Sequence, residues 1–175
     1  MDECRLVKPN LAMEAEILLY REAMQAAGSS MDGTGTLRNG ISVGEWLEGN
    51  QRMENPETLP PNMVEAEQFV YVRKSDGRIV GMIQFRHTLN DYLATYGGHI
   101  GYSVRPDERK KGYARRMLAD CLRYCKAFGL TRVLITCLVE NEGSRRTMLA
   151  NGGVYENTVH YAPEQVDLER YWFTL

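Results

Sequence analysis

The sequence predicts one domain of the α/β (α+β) class, a mixed, mostly antiparallel sheet with helices on both faces. The chain has 175 residues, of which 43% are hydrophobic, and this is enough to bury a sizeable core. Two segments with helical periodicity come first, a hairpin pattern follows, and strands then alternate with helices. No repeat, low-complexity tract or linker interrupts this order, so residues 1–175 are predicted to fold as a single domain.

The first sixty residues are predicted to hold a short strand and two helices. Cys4–Val7 has the pattern of a strand, and Asn10 can cap a helix that ends at Gly28. A second helix is expected over residues 43–53, followed by a proline-containing loop. The apolar face of the first helix is predicted to consist of Leu11, Ala15, Leu18, Leu19, Ala23 and Ala26.

Residues 28–40 form a glycine-rich loop between these helices. Such a composition is typical of a flexible connector. A long loop in a compact domain is also often functional, which favours a substrate loop. Both interpretations are open, and the second predicts a segment that is mobile without substrate and lines the acceptor pocket.

A run of strands follows. Residues 69–72 and 79–85 flank the turn Ser75-Asp76-Gly77 and predict a β-hairpin. The last predicted strand, residues 171–175, either closes the sheet or pairs across a homodimer. Further strands are predicted at residues 99–104, 133–138, 154–161 and 171–175.

A strongly amphipathic helix is predicted from near Gly112 to a C-cap at Gly129. Asn141 can cap a further helix, which closes at Asn151-Gly152-Gly153. The apolar stripe of the amphipathic helix is predicted to be Ala114, Met117, Leu118, Cys121, Leu122, Cys125 and Phe128.

The segment from Val104 to Ala114 has the features of an anion-binding loop. A strand ends at Val104, a proline and a basic stretch follow, and Gly112 precedes a helix. The N–H groups of a first helical turn lack internal partners, and the helix dipole adds partial positive charge there. Because Gly112 has no Cβ, the backbone can approach a phosphate closely. The segment therefore predicts a phosphorylated ligand, and a pyrophosphate fits its length.

The charge distribution favours a compact polyanion over a nucleic acid. Residues 105–126 contain eight basic and three acidic residues, a net charge of +5, whereas the rest of the chain carries −7. A nucleic-acid-binding protein would favour a broadly basic surface, so no nucleic-acid partner is expected. The acidic remainder is compatible with a cationic amine substrate, such as an N-terminus, a polyamine or an aminoglycoside.

Several other classes of protein are disfavoured by missing patterns. The phosphate-binding motif of P-loop kinases is absent, and no cysteine and histidine spacing indicates zinc, so no metal is expected. Cys121 and Cys125 lie one helical turn apart and are expected in the core. The chain shows no signal peptide and no membrane span, which predicts a cytoplasmic protein without a membrane partner.

The anion-binding loop resembles the Arg/Gln-x-x-Gly-x-Gly/Ala signature of the GNAT superfamily of acyl-CoA-dependent N-acyltransferases. The resemblance is strong over residues 67–155 and weak in the first sixty residues. It implies that acetyl-CoA is the cosubstrate and that the backbone of the strand binds its pantetheine. The implied cofactor-binding residues are Tyr102, Ser103, Val104, Arg109, Lys110, Lys111, Gly112, Tyr113, Ala114 and Asn141.

A second segment, which starts at Asn141, strengthens the resemblance. In the family, an Asn at this place contacts the cofactor, whereas a plain helix N-cap is the simpler interpretation of Asn141. Many members carry a tyrosine seven residues later that protonates the departing thiolate, but this chain has Met148. The branch that acetylates ribosomal-protein N-termini has Asn-x-x-Ser instead, which Asn141 and Ser144 match. The resemblance makes Ser144 a candidate proton donor, and an ordinary first-turn serine is the alternative.

The same branch has a glutamate near the substrate amine, and His99 stands in its place in the segment His99-Ile100-Gly101-Tyr102. A histidine titrating near pH ~6.5 can act as the base that deprotonates the amine. The alternative is a hydrogen-bonded strand residue. His87 and His160 match no motif and are interpreted as structural.

Taken with the resemblance, the sequence predicts an N-acetyltransferase that transfers an acetyl group directly to an amine. The acceptor is expected to be a small-molecule amine or a protein N-terminus. Two alternatives are a non-catalytic CoA-binding module on the same fold and, less favoured, a nucleic-acid-binding protein.

Overall fold

The structure is a computed structural model that describes residues 2–175. The helices are α1 (Glu14–Ala26), α2 (Val43–Met53), α3 (Tyr113–Phe128) and α4 (Glu142–Ala150). The strands are β1 (Cys4–Val7), β2 (Ala66–Arg73), β3 (Ile79–Arg86), β4 (Ile100–Val104), β5 (Arg132–Leu138), β6 (Val154–Tyr161) and β7 (Val166–Thr174). Short 3-10 turns lie at Leu11–Met13, Gly35–Asn39 and Pro106–Glu108, and a π-helical turn lies at Leu93–Gly97.

The strands form two antiparallel sheets, in the orders β1-β2-β3-β4 and β5-β7-β6. The predicted α/β class, with mostly antiparallel strands, is confirmed. The expected single mixed sheet is divided between β4 and β5, where the ladder stops. His99 N–H donates to the Leu134 carbonyl at 2.7 Å just before β4 begins, and from there β4 and β5 are not paired in a ladder. One edge of β4 therefore stays open.

The C-terminal strand β7 lies in the middle of its sheet. It pairs with β5 on one side and with β6 on the other, as in Val133↔Phe173 and Val154↔Trp172. Since both of its edges are used, β7 closes the sheet within the chain and has no free edge for a dimer. It begins at Val166, five residues earlier than predicted. The prediction missed this start because charged residues interrupt the apolar alternation over residues 166–170.

Helices cover both faces of the four-stranded sheet, as predicted. On one face α1 and α2 pack against residues such as Val70 and Met82. On the other face α3 packs against residues such as Val80 and Ile83, with Met148 of α4 in the same cluster. None of the helices within residues 2–175 is long and apolar enough to cross a bilayer.

The predicted apolar face of α1 is wrong. The buried residues are Ile17, Tyr20 and Met24, whereas Leu11 and Leu19 are 60% and 46% exposed. Both sets recur at helical spacing, and the set with the larger side chains faces the sheet. The helix also begins later than expected, because Asn10 caps the 3-10 turn that precedes it.

The predicted stripe of α3 is largely confirmed. Its buried residues include Met117, Cys121 and Cys125, so both cysteines of this helix are core residues as expected. Phe128 is 47% exposed and packs its ring edge-on against Phe85, with centroids 5.3 Å apart.

The glycine-rich loop is packed against the sheet. Met31, Thr34 and Leu37 are buried. The side chains of Gln68 and Trp46 donate hydrogen bonds to the carbonyls of Gly33 and Thr34, at 2.7 and 2.8 Å. The flexible-connector interpretation is therefore wrong, and the same anchoring argues against the expected mobility.

Candidate active site

The segment between β4 and α3 is a tight loop that ends in an exposed helix N-terminus. After the 3-10 turn, Lys110 and Gly112 both have left-handed backbone conformations, with φ of +61° and +81°. Gly112 is the N-cap of α3 and offers no side chain to the first turn. A residue with a Cβ is strained at this φ, which explains the glycine.

The amides of this loop are unpaired in the described part of the chain. Within residues 2–175, the N–H groups of residues 110–115 donate no hydrogen bond, and the first helical bond runs from Arg116 N to Gly112 O. Unpaired N–H groups at a helix N-terminus attract anions, since the helix dipole adds partial positive charge there. The loop therefore has the geometry of a phosphate site built from backbone.

A buried carboxylate, that of Glu108, holds this loop against the β2–β3 hairpin. Glu108 is 1% exposed and accepts from Arg73 at 3.1 Å, from Arg78 at 2.8 Å and from Lys111 at 2.9 Å. Burial alone would raise the pKa of Glu108, but these three cations outweigh it and lower the pKa below its usual range. No sequence pattern indicated this cluster, because its members come from the hairpin and from the loop.

The side chains of the loop serve mainly to fix its shape. Arg109 donates from Nε to the Val104 carbonyl at 3.0 Å and from Nη2 to Ser29 Oγ at 2.7 Å. Tyr113 is buried, and its hydroxyl accepts from Arg73 at 3.2 Å. Lys110 is exposed. The groups of this loop that stay available to a ligand are therefore its backbone N–H groups and the exposed Lys110 side chain.

The open edge of β4 offers a second set of backbone groups. Arg105 N bonds Val80 O on β3, and the antiparallel alternation then turns the N–H and C=O of Ser103 toward β3 as well. The same alternation turns those of Tyr102 and Val104 toward the open edge. Ser103 contributes its side chain elsewhere, since its Oγ lies 3.0 Å from the Tyr20 hydroxyl of α1.

A hydroxyl pair spans the gap between β4 and α4. The Tyr102 hydroxyl lies 2.7 Å from Ser144 Oγ, so the two can share a proton. Burial raises the pKa of Tyr102 above its usual range, which keeps the phenol protonated. The sequence analysis gave Ser144 as a candidate proton donor and Tyr102 as a cofactor-binding residue through its backbone; the structure brings their two hydroxyls together.

Asn141 and Met148 occupy the two ends of α4. Asn141 Oδ1 accepts from Ser144 N at 3.0 Å, so its N-cap role is present, and its Nδ2 donates to no group within residues 2–175. Met148 is fully buried in the core. Cys137 is also buried, and burial raises the pKa of its thiol to about 11, which disfavours a reactive thiolate.

The surroundings of His99 argue against its predicted role as a base. Leu134 N–H donates to His99 Nδ1 at 2.9 Å, so Nδ1 carries no proton and Nε2 is the protonated nitrogen of the neutral ring. Neither nitrogen then has a free lone pair. Burial, together with the positive charge of Arg86, lowers the pKa of His99 to about 4. The hydrogen bonds favour the alternative interpretation, a strand residue that joins β4 to β5.

The two remaining histidines are paired with carboxylates. His87 Nε2 lies 3.0 Å from Glu67, and His160 Nδ1 lies 2.7 Å from Asp167. Both lie in hydrogen-bonded pairs, in keeping with their structural interpretation.

No sequence pattern pointed to Arg86, which lies beside His99 and Gly101. Its backbone N–H donates to the His99 carbonyl at 2.7 Å. The glycine-rich loop also meets β4 here: a Cβ on Gly33 would lie 2.2 Å from the Gly101 carbonyl oxygen. The run of glycines at residues 97, 98 and 101 was the available signal, because each marks a close backbone approach.

The family model described as "Acetyltransferase (GNAT) family" matches residues 39–152, about two thirds of the chain. The chain belongs to this family. GNAT membership makes it an acyltransferase, and it confirms the resemblance found in the loop and at Asn141. No curated protein sequence matches the chain.

Solved structures with a similar fold include two acetyltransferases and the protein RimJ. The ribosomal-protein-S5-alanine acetyltransferase from Vibrio fischeri is 18% identical, over 99% of this chain and 94% of that chain, with a TM-score of 0.74. The microcin C7 self-immunity acetyltransferase MccE, in complex with acetyl-CoA and AMP, is 18% identical over 100% and 94%, with a TM-score of 0.73. RimJ from Mycobacterium smegmatis, in complex with CoA-disulfide, is 22% identical over 98% and 81%, with a TM-score of 0.73. At these identities the similarity establishes the GNAT fold.

Proposed function

We propose that the chain transfers the acetyl group of acetyl-CoA directly to a primary amine, which is a small molecule or a protein N-terminus. The observation that carries the proposal is the juxtaposition of backbone donors and a hydroxyl pair at the open edge of β4. A cytoplasmic location and a homodimer remain predictions from the sequence.

The residues present fit acetyl-CoA as the cosubstrate. The unpaired amides of residues 110–115 match a pyrophosphate, and the positive φ of Gly112 keeps a side chain out of their way. Tyr102 and Val104 have backbone groups at the open edge that can bind an amide-containing chain as a strand would. Asn141 Nδ2 is a further free donor. Acetyl-CoA supplies the acyl group in activated form, as a thioester.

The chain's own groups then stabilise the charge that develops during transfer. A backbone N–H of β4, from Tyr102 or Val104, donates to the thioester oxygen as negative charge forms on it. As the C–N bond forms and the C–S bond breaks, the Tyr102–Ser144 pair donates a proton to the departing sulfur. The raised pKa of Cys137 disfavours an acyl-enzyme, which supports direct transfer.

The amine must lose one proton overall, and His99 has no free lone pair to accept it. We therefore expect the amine to bind in its neutral form or to lose its proton to water. The value of kcat/KM should rise with pH toward the pKa of the amine. An inflection near pH 6.5 that disappears in His99→Asn would instead assign the base role to His99.

The first experiment measures free thiol released from acetyl-CoA over a panel of primary amines. A specific amine that accelerates release, with formation of the acetylated product, supports the proposal. Wild-type protein that binds CoA but acetylates no amine would contradict it.

The second experiment tests the proton donor. Tyr102→Phe and Ser144→Ala should each lower kcat by on the order of 10–100-fold, and the double variant should lose little more, because the two hydroxyls act as one unit. Tyr155→Phe is the matched control, since the Tyr155 hydroxyl pairs with Thr158 on the exposed strand β6. Full activity of both single variants would remove the pair from the mechanism.

A further inference from the structure

Arg86 has a partly buried guanidinium without a carboxylate partner. Its Nη1 donates to the carbonyls of Gly97 and Gly98 at 3.0 and 3.1 Å. Within residues 2–175, Nε and Nη2 donate no hydrogen bond, and no carboxylate oxygen lies within 4.0 Å of the guanidinium. The free Nε–H and Nη2–H form the side of a guanidinium that binds an oxyanion with two parallel hydrogen bonds.

The Nη2 group of Arg86 lies beside Gly101, which has no side chain to cover it. A Cβ on Gly101 would lie 3.3 Å from Arg86 Nη2 and 3.2 Å from Gly33 N. Gly33 N–H also donates to no group in the described part of the chain. Two donors that are unpaired in the described part of the chain thus lie close to Gly101 on the same side of β4.

Gly101 and the Nη2 donor of Arg86 beside it lie next to the proposed reaction centre. Gly101 directly precedes Tyr102, whose backbone N–H reaches the open edge of β4. Consecutive Cα atoms are about 3.8 Å apart, so a group bound by Arg86 Nη2 beside Gly101 would lie next to the backbone that we propose to bind the thioester. Burial lowers the pKa of Arg86 from its usual value, which reflects an environment where an anionic partner is favourable.

We propose that the acceptor is a small amine that carries a carboxylate, and that the Nε–Nη2 edge of Arg86 binds that carboxylate. The inference rests on the proposed acetyl transfer and narrows its substrate class. The short distance to the reaction centre favours an amine a few bonds from the carboxylate, as in an α- or β-amino acid. Polyamines and aminoglycosides, which the acidic surface had suggested, lack this group.

Asp32, whose charge acts on Arg86, forms no hydrogen bond or salt bridge with it. Asp32 accepts from Ser30 Oγ at 2.7 Å and is exposed. The negative charge of Asp32 raises the pKa of Arg86, and the positive charge of Arg38 lowers it, so the two influences oppose each other. An incoming carboxylate therefore meets an unpaired cation.

The test compares kcat/KM for matched acceptors that differ only in the acidic group: glycine and β-alanine, their carboxamides, and aminomethylphosphonate. The wild type should prefer the carboxylates by at least about tenfold. Arg86→Gln should lower kcat/KM for the carboxylates by on the order of 10–100-fold, the range for a charge-assisted pair of hydrogen bonds, and for the carboxamides by less than about threefold. A merely structural role of Arg86 would lower both equally and would overturn the inference, as would a preference for carboxamides or for the phosphonate.

Two further variants and a binding measurement keep the inference testable on its own. Arg86→Lys should recover part of the preference for carboxylates, since lysine keeps the positive charge but lacks the pair of parallel N–H donors. Asp32→Asn should leave the preference for carboxylates over carboxamides unchanged or raise it slightly. Loss of that preference in Asp32→Asn would assign the selectivity to Asp32 and overturn the inference.

With CoA present, N-acetylglycine should raise the melting temperature of the wild type but not of Arg86→Gln, and N-acetylglycinamide should do so in neither. Equal shifts for the two probes would overturn the carboxylate site. Because this measurement needs no turnover, it separates failure of the site from failure of acetyl transfer.

Discussion

The two sides of β4 are built in different ways. On the side of α3, the donors are backbone N–H groups of one contiguous segment, residues 104–114, fixed in shape by Glu108. On the side of α1, the donors that approach Gly101 are the Arg86 side chain from β3 and the Gly33 amide from a distant loop. A contiguous backbone site leaves a short motif in the sequence, whereas a site assembled from separate segments leaves none.

The difference has a functional consequence. A backbone site depends on conformation, so it suits a cosubstrate that is the same for every member of a family. A site made from side chains changes with single substitutions, so it suits the acceptor, which differs between members. We expect variants on the two sides of β4 to affect cosubstrate and acceptor binding separately.

The largest effect on stability is expected from Gly33→Ala, on the acceptor side. A Cβ there would lie 2.2 Å from the Gly101 carbonyl oxygen, at a φ of +73°. We expect a loss of about 3 kcal/mol or more in the free energy of unfolding, measured by chemical denaturation. Gly40→Ala is the control: its φ is +75° but a Cβ there meets nothing within 4 Å, so only about 1 kcal/mol of strain is expected. Equal losses would mean that the loop does not pack on β4.

The next effect is expected from Glu108→Gln, on the cosubstrate side. Removal of the carboxylate leaves Arg73, Arg78 and Lys111 without their buried partner, which costs about 3 kcal/mol in unfolding experiments. Because its pKa is lowered in the folded protein, this stabilisation is present above the ordinary pKa of glutamate and is lost as the pH falls. Asp76→Asn removes an exposed partner of Arg73 and should cost under about 1 kcal/mol. A Glu108→Gln protein as stable as Asp76→Asn would contradict the support assigned to Glu108.

The extent to which the sequence predicted these features follows the same division. Periodicity placed β1, α2 and β6 at the observed bounds, and the loop motif predicted the segment that we propose as the cosubstrate site. The apolar face of α1 could not be chosen from spacing alone, because two stripes with the same period compete. The hydrogen bonds of His99 and Arg86 depend on which strands meet across the sheet, and no local pattern encodes that.

A smaller effect is expected from His99, which joins the two sheets. His99→Ala leaves Leu134 N–H without its acceptor and should cost about 1–3 kcal/mol at pH 7, whereas His99→Asn keeps an acceptor and should cost less. The folded-state pKa of about 4 lies below the ordinary 6.5, so the unfolded chain takes up the proton first. The stability of the wild type should therefore fall as the pH decreases from 6.5 to 4. An identical pH dependence in His99→Asn would show that His99 is not the group responsible.

The central claim is that the cosubstrate site consists of backbone and is independent of the acceptor side. The most direct test is calorimetric titration of CoA into the wild type, Gly112→Val, Gly129→Val and Arg86→Gln. Gly129 has a φ of +113° at the opposite end of α3, so its variant carries comparable backbone strain away from the loop. We predict that Gly112→Val weakens CoA binding by about 100-fold or more. The other two variants should bind CoA within about threefold of the wild type. Wild-type affinity in Gly112→Val, or an equal loss in Arg86→Gln, would contradict the claim.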